Sequence, residues 1–260
     1  MKRTLTTIAI GSLPLKIRAL VDGAAVYDSS CSPEARVYFI DKDDGYYLKI
    51  GEAGSLSREA QMTEYFNSIG LGVRVLEYVT DKKDYMLTER AAGEDLTHGI
   101  YLAEPKRLAT AMGELLRELH SRPTSGCPVR RMPEYLDTVR KNYERGLFDM
   151  SLFGDGASFK DAESAYRFVE ENAGILRSDV LIHGDYCLPN IMLDGWKFSK
   201  FIDLGNGGIG DRHVDLFWGA WTLNYNLGTD EYRGSFFDAY GRDMIDPLAI
   251  RVIEAAEYFG

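Results

Sequence analysis

The sequence predicts an α+β chain of two lobes, β-rich over residues 1–91 and mainly helical over residues 92–260. Three observations carry that expectation. Short apolar runs separated by Asp-Gly and Asp/Lys turns fill the first ninety residues. From Leu108 onward apolar residues instead recur at helical spacing. Within this helical half a strand, a loop and a hairpin return at 179–205, and the loop carries His, Asp and Asn in close succession. A chain of 260 residues with 45% hydrophobic side chains can build a core in each of two such lobes.

Taken in order, Arg36 to Ile40 and Tyr46 to Ile50 are predicted strands, joined by Asp41-Lys42-Asp43-Asp44-Gly45, which ends in a turn-forming Asp-Gly. A helix is expected from Ser55 to Ser68, stopped near Gly70, with Met62, Tyr65 and Phe66 on its apolar side. Two further strands, Val73 to Val79 and Tyr85 to Glu89, flank Asp81-Lys82-Lys83-Asp84. In the second lobe Leu108, Met112, Leu115, Leu116 and Leu119 mark a core helix from Lys106 to His120, with His120 read as a helix-end residue. Amphipathic stretches follow from Glu134 to Arg145 and from Ser158 to Asn172, separated by a Gly-rich acidic loop. The C-terminal part offers Val214 to Leu223, Asp230 to Tyr240 and Pro247 to Phe259.

The chemistry is concentrated in His183-Gly184-Asp185-Tyr186-Cys187-Leu188-Pro189-Asn190 and, after a predicted hairpin, in Asp203-Leu204-Gly205. Phosphoryl transfer needs a carboxylate to take the proton of the attacking hydroxyl and oxygen ligands to hold Mg²⁺ beside the phosphates. Asp185 fits the first role, and Asn190 with Asp203 the second. The spacing from Asp185 to Asn190 is that of H-R-D-x-x-x-x-N, with Gly184 in place of Arg, and Asp203-Leu204-Gly205 stands where D-F-G would. Asp179 to Ile182 and Ile191 to Leu193 read as strands entering and leaving the loop, with Lys200 to Ile202 as hairpin partner after Asp194-Gly195. A β-rich lobe with one helix after the third strand is the plan of a kinase N-lobe, so Lys49, near the end of its strand, is the candidate for the nucleotide phosphates. No G-x-G-x-x-G is present.

Composition narrows the partners. A formal charge of −10 argues against a nucleic-acid partner and suits a cationic one. Cys31, Cys127 and Cys187 are widely spaced without a C-x-x-C pair, so neither a disulfide framework nor a zinc site is expected, and a cytoplasmic location is. The start Met1-Lys2-Arg3 faintly imitates a signal peptide, but Pro14-Leu15-Lys16-Ile17-Arg18 interrupts it. No apolar run approaches the roughly 18 to 20 residues of a membrane span, so no membrane partner is expected.

These motifs, together with Tyr47-Leu48-Lys49, Arg58-Glu59, Thr88-Glu89-Arg90-Ala91 and Leu119-His120-Ser121, resemble the aminoglycoside phosphotransferase family, most closely its 3'-phosphotransferase branch, over nearly the whole chain. The resemblance implies the two-lobed fold shared with protein kinases, and a kinase that moves the γ-phosphoryl of ATP or GTP to a hydroxyl of an aminoglycoside antibiotic, with Mg²⁺ as cofactor. It selects Glu59 over Glu64 as the ion-pair partner of Lys49. It points to Ser32, with Ser30 as neighbour, in a Ser-containing phosphate loop. Adenine would lie against Tyr47, with the backbone C=O of Thr88 and N–H of Arg90 at its edge.

The acceptor side is expected to carry carboxylates, since an aminoglycoside is a multiply cationic sugar. Asp155, Glu257 and the terminal carboxylate of Gly260 are the candidates, with Asp149, Asp230 and Glu231 behind them. Three departures from the family touch this side: Asn206 replaces the usual Arg, the expected acidic pair reads Tyr225-Asn226, and Gly260 extends past Phe259. They keep open a kinase of the same fold that acts on another amino alcohol or a sugar. A nucleotide-binding pseudokinase is opposed by the intact Lys49, Asp185, Asn190 and Asp203.

Overall fold

The computed structural model describes residues 3–30, 35–152 and 158–260. The chain opens with β1 (Thr4–Thr6), α1 (Leu15–Val21) and β2 (Ala25–Asp28), none of which the sequence reading assigned. The expected hairpin follows as β3 (Arg36–Asp41) and β4 (Tyr46–Glu52), then α2 (Ser57–Ser68), β5 (Val75–Thr80), β6 (Lys83–Glu89) and the short β7 (Glu94–Asp95). Next come α3 (Gly99–Leu102), α4 (Pro105–His120), α5 (Arg131–Arg145), α6 (Ala162–Asn172) and β8 (Val180–Ile182). The hairpin of β9 (Ile191–Asp194) and β10 (Lys197–Phe201) precedes β11 (Gly208–Gly210), α7 (Arg212–Leu227), α8 (Arg233–Tyr240) and α9 (Pro247–Glu257).

The chain forms two compact units, Met1–Leu96 with Pro189–Asn206, and Thr97–Leu188 with Gly207–Gly260. The first holds a six-stranded antiparallel sheet in the order β1-β2-β3-β4-β6-β5. Ile17 and Val21 of α1 pack with Leu13 against Val26, Ile40, Leu48 and Leu87. The spacing of Leu13, Ile17 and Val21 is helical, but a helix this short gives too few repeats to separate from a loop.

The boundary differs from the expected 91/92 in an instructive way. β7 pairs with β9, and the Phe201 N–H donates to the Leu71 carbonyl at 2.8 Å, so the hairpin that carries Asn190 and Asp203 groups with the N-terminal sheet. Backbone pairing, which no local sequence pattern encodes, decides this. Gly93 permits it. It sits at φ +81°, and a Cβ there would lie 2.0 Å from the Leu193 carbonyl oxygen.

The second unit is mainly helical. Leu108, Met112, Leu116 and Leu119 of α4 are buried as expected, and α4 packs against α8. α6 and α7 both pack on α9, whose start is fixed by Asp246, its side chain accepting the Leu248 N–H, and by Pro247 in the first turn. β8 pairs antiparallel with β11 and leads directly into the His183 loop.

Gly93→Ala meets backbone atoms that cannot yield as well as a left-handed φ, so it should cost about 2–5 kcal/mol and lower the thermal midpoint by about 5–15 °C in calorimetry. Gly54→Ala, at φ +85° with open space around it, should lose only about 1–2 kcal/mol.

Candidate active site

In the first unit Lys49 lies on the central strand β4 and Glu59 in the first turn of α2, and the ammonium donates to Glu59 Oε2 at 2.7 Å. It also donates to Asp203 Oδ1 at 2.9 Å. Lys49 and Glu59 side chains retain only 19% and 9% of their exposure, whereas Asp203 keeps 50% and faces water. Burial opposes the charged ammonium, but the Asp203 and Glu59 carboxylates outweigh it and hold the Lys49 pKa above the ordinary lysine value. One ammonium against two carboxylates leaves this cluster a formal charge of −1.

The hairpin delivers the rest. The Asn190 carbonyl accepts the Ile202 N–H at 3.0 Å, which ties the start of β9 to the residue before Asp203. Asp203 adopts φ +57°, a left-handed conformation costly for a non-glycine residue. Arg58 Nε donates to the Gly205 carbonyl at 2.6 Å and so anchors the turn after it. The sequence selected Arg58-Glu59 as a pair, and the two residues brace Asp203-Leu204-Gly205 from opposite chemistries, one by cationic hydrogen bond and one through Lys49.

In the second unit the His183 loop is held from beneath by Asp215 of α7. Its carboxylate accepts the N–H of His183 and of Gly184, both at 2.7 Å, and is fully buried. Gly184 sits at φ +82°, which explains glycine where the kinase motif has arginine. His183 Nδ1 accepts the Asp185 N–H at 3.3 Å and so braces the loop from within. Asp211 is the N-cap of α7, accepting the His213 N–H at 2.8 Å, so the two acids divide the capping and loop-fixing roles.

His120 is the residue that sequence reasoning undervalued. Its Nε2 lies 3.1 Å from Asp215 Oδ2 and its Nδ1 2.9 Å from the Tyr240 hydroxyl, all buried. With Asp215 as acceptor, Nε2 carries the proton and the tyrosine donates to Nδ1. The signal was present: His120 continues the buried stripe of Leu108, Met112 and Leu116, and a buried imidazole needs partners.

Of the acceptor candidates, Glu257 and Gly260 come together, a Cβ on Gly260 falling 2.9 Å from Glu257 Oε2. Tyr135 donates to Glu257 Oε1 at 2.8 Å, and the Trp218 side chain also hydrogen-bonds the carboxylate. Burial pushes the Glu257 pKa up to about 7 against those hydrogen bonds and Arg131, with the Asp185 charge adding to the rise. Ser32 and Asp155 lie outside the described residues. The Ser30 hydroxyl accepts the Val37 N–H at 2.9 Å.

Of the residues expected around adenine, Tyr47 and Thr88 are directly paired across β4 and β6. The Tyr47 ring packs 5.4 Å from Phe39, and its hydroxyl accepts from Arg3 Nη2 at 2.9 Å. The Arg90 N–H donates to the Gly45 carbonyl at 3.1 Å, so a bond from it to a nucleotide requires that contact to open or be shared. Cys127 and Cys187 are free thiols, and burial, reinforced by the Asp185 charge, pushes Cys187 far up.

Comparison with known proteins agrees with this arrangement. The model of the phosphotransferase enzyme family matches residues 33–252. A probable aminoglycoside 3'-phosphotransferase of Lactococcus lactis is 47% identical over 255 residues, 97% of each chain. The chain belongs to the aminoglycoside phosphotransferase family. Its fold is protein-kinase-like: a type VIII aminoglycoside-3'-phosphotransferase superposes with a TM-score of 0.79 at 21% identity, over 94% of this chain and 98% of the other. An aminoglycoside phosphotransferase of Streptomyces rimosus, solved with ADP and streptomycin, gives 0.68 at 21% identity, over 98% and 100%.

Within this phosphotransferase the departures noted in the sequence have definite settings. Asn226 donates to the Thr222 carbonyl at 2.8 Å, inside its own helix, and Tyr225 is 72% exposed. Among the described residues no helix is long and apolar enough to cross a membrane.

Because the folded protein holds Glu257 neutral up to about pH 7 while the unfolded chain ionises it near 4.5, its burial costs stability as pH rises through that window. Glu257→Gln should therefore match the wild type in thermal midpoint near pH 4.5 and gain on it progressively toward pH 7. A difference that stays constant with pH would contradict the buried, neutral carboxyl.

Proposed function

We propose that this phosphotransferase transfers the γ-phosphoryl group of a nucleoside triphosphate to a hydroxyl of an aminoglycoside, the 3'-hydroxyl by analogy with its 47% identical relative, and so confers antibiotic resistance. The observation that carries the reading is the Lys49 ammonium, fixed at 2.7 Å from Glu59 and 2.9 Å from Asp203. A lysine without such partners spends its flexibility on many positions; held between two carboxylates it is pre-placed for α- and β-phosphate oxygens.

The hydroxyl proton passes to the Asp185 carboxylate as the acceptor oxygen forms its bond to phosphorus. The bond from the γ-phosphorus to the bridging oxygen breaks, leaving a nucleoside diphosphate and a phosphate ester. Asp215 and His183 keep the Asp185 backbone in place, so the base needs no reorganisation at the moment of transfer. Asp203 and Asn190 are the residues that would hold Mg²⁺. They fit it: both offer hard oxygen donors, Asp203 remains half exposed, and the Lys49 cluster has the residual negative charge a divalent cation neutralises. Two protein ligands suffice, because Mg²⁺ takes most of its remaining ligands from phosphates and water. When bound, it supplies charge neutralisation to the phosphate oxygens. The acceptor wall is assigned to Glu257 and Gly260, together with Asp155. The widely spaced, unpaired thiols suit a reducing cytoplasm, and the acidic chain a small cation in place of a nucleic acid.

Asp185→Asn should cut turnover by on the order of a hundredfold or more with nucleotide affinity little changed, since a base is lost and no metal ligand. Turnover like that of the wild type would remove Asp185 from the reaction. Asp203→Ala should weaken Mg-nucleotide binding, measured by calorimetric titration, by roughly tenfold or more as well as slow turnover. Nucleotide affinity that is unaltered in the presence and absence of Mg²⁺ would place the metal elsewhere.

A further inference from the structure

Helix α7 presents two working faces. Asp215 and Thr222, seven residues apart, share one side: Asp215 accepts the loop N–H groups of His183 and Gly184, and Thr222 Oγ1 accepts the Leu188 N–H at 3.3 Å. Trp218, Trp221 and Tyr225 follow at three- and four-residue intervals, which puts them on a stripe about a quarter turn round the same helix. Their rings form a ladder. Trp218 meets Trp221 edge-on at 5.3 Å, and Trp221 stacks on Tyr225 at 5.0 Å with the planes 15° apart.

The ladder has an acidic end and a wet end. At one end Trp218 hydrogen-bonds Glu257, whose carboxyl feels the charge of Asp185. At the other, Tyr225 is 72% exposed, and both tryptophans are partly exposed. So much open aromatic surface buries little and adds little to the stability of the helix. It offers instead π-faces of negative quadrupole beside the acidic Glu257 side chain, a combination that attracts an ammonium group and packs against the apolar C–H face of a pyranose ring. Tyr225 stands where the family pattern leads one to expect an acidic residue, so part of the charge attraction lost there is replaced by aromatic surface.

We propose that Trp218, Trp221 and Tyr225 form a strip that takes one ammonium-bearing sugar ring of the acceptor against its aromatic faces. The inference rests on the aminoglycoside kinase reading and names residues that determine which acceptors it accepts. Neutral sugars engage the same faces without the cation–π contribution, so the strip favours amino sugars.

Steady-state kinetics with kanamycin and neomycin tests it. Trp221→Ala and Tyr225→Ala should each raise the acceptor KM by about five- to thirtyfold, while kcat and the nucleotide KM stay within about threefold. Trp221→Phe should recover most of the loss. Should an alanine variant fail to fold, Trp221→Leu and Tyr225→Leu keep the bulk without the π-face and carry the same expectation. Titration of the nucleotide-free protein with kanamycin should change tryptophan emission saturably, and Trp221→Phe should remove much of that change. Folded Trp221→Ala and Tyr225→Ala variants with the wild-type acceptor KM would overturn the strip and leave the kinase reading intact. A wild type that phosphorylates no aminoglycoside would overturn the kinase reading first and the strip with it.

Discussion

A buried carboxylate with every oxygen engaged organises the second unit. Asp215 has no exposed surface, and an unpaired carboxylate so placed would cost several kcal/mol. It is satisfied by two backbone N–H groups of the His183 loop and by the His120 imidazole, which in turn is held by Tyr240. Those partners come from α4, the end of α8 and the loop after β8. The loop conformation is therefore not set by its own residues alone. It is the geometry that pays the solvation debt of Asp215.

The first unit uses the opposite economy. Lys49, Glu59 and Asp203 leave a surplus negative charge, and Asp203 is kept half exposed in a left-handed backbone. A left-handed backbone and a charge surplus thus meet at one half-exposed residue. The Arg58 contact to Gly205 offsets part of that cost by fixing the turn from outside.

Much of this was legible in the sequence because the decisive signals are local. The Asp185 to Asn190 spacing, the Asp194-Gly195 turn and the α4 leucines each act within a few residues. What escaped depends on distant partners. α1 and β2 acquire their identity only against Ile40, Leu48 and Leu87, and His120 acquires its role only once Asp215, 95 residues away, is beside it. Glu257 was chosen as an anionic contact, whereas burial against Tyr135 and Trp218 makes it a carboxyl that hovers between charged and neutral near pH 7. The Ser32 loop and Asp155, both in Gly- or Ser-rich stretches, lie outside the described residues and gain nothing from the structure.

The placement of the β9–β10 hairpin has a consequence for how this chain comes into being. The first unit contains residues 1–96 and 189–206, so its small sheet stays incomplete until the chain has been synthesised through the whole intervening segment. β7 must wait for β9 with an open edge, and Asn190 and Asp203 arrive with that hairpin. Translation from the N-terminus thus cannot finish the first unit and then add the second; the two mature together. A fragment cut after residue 96 would lack β9 and β10 together with Asn190 and Asp203, which makes this gene a poor candidate for splitting at its apparent domain boundary and a better one for interruption inside a surface turn.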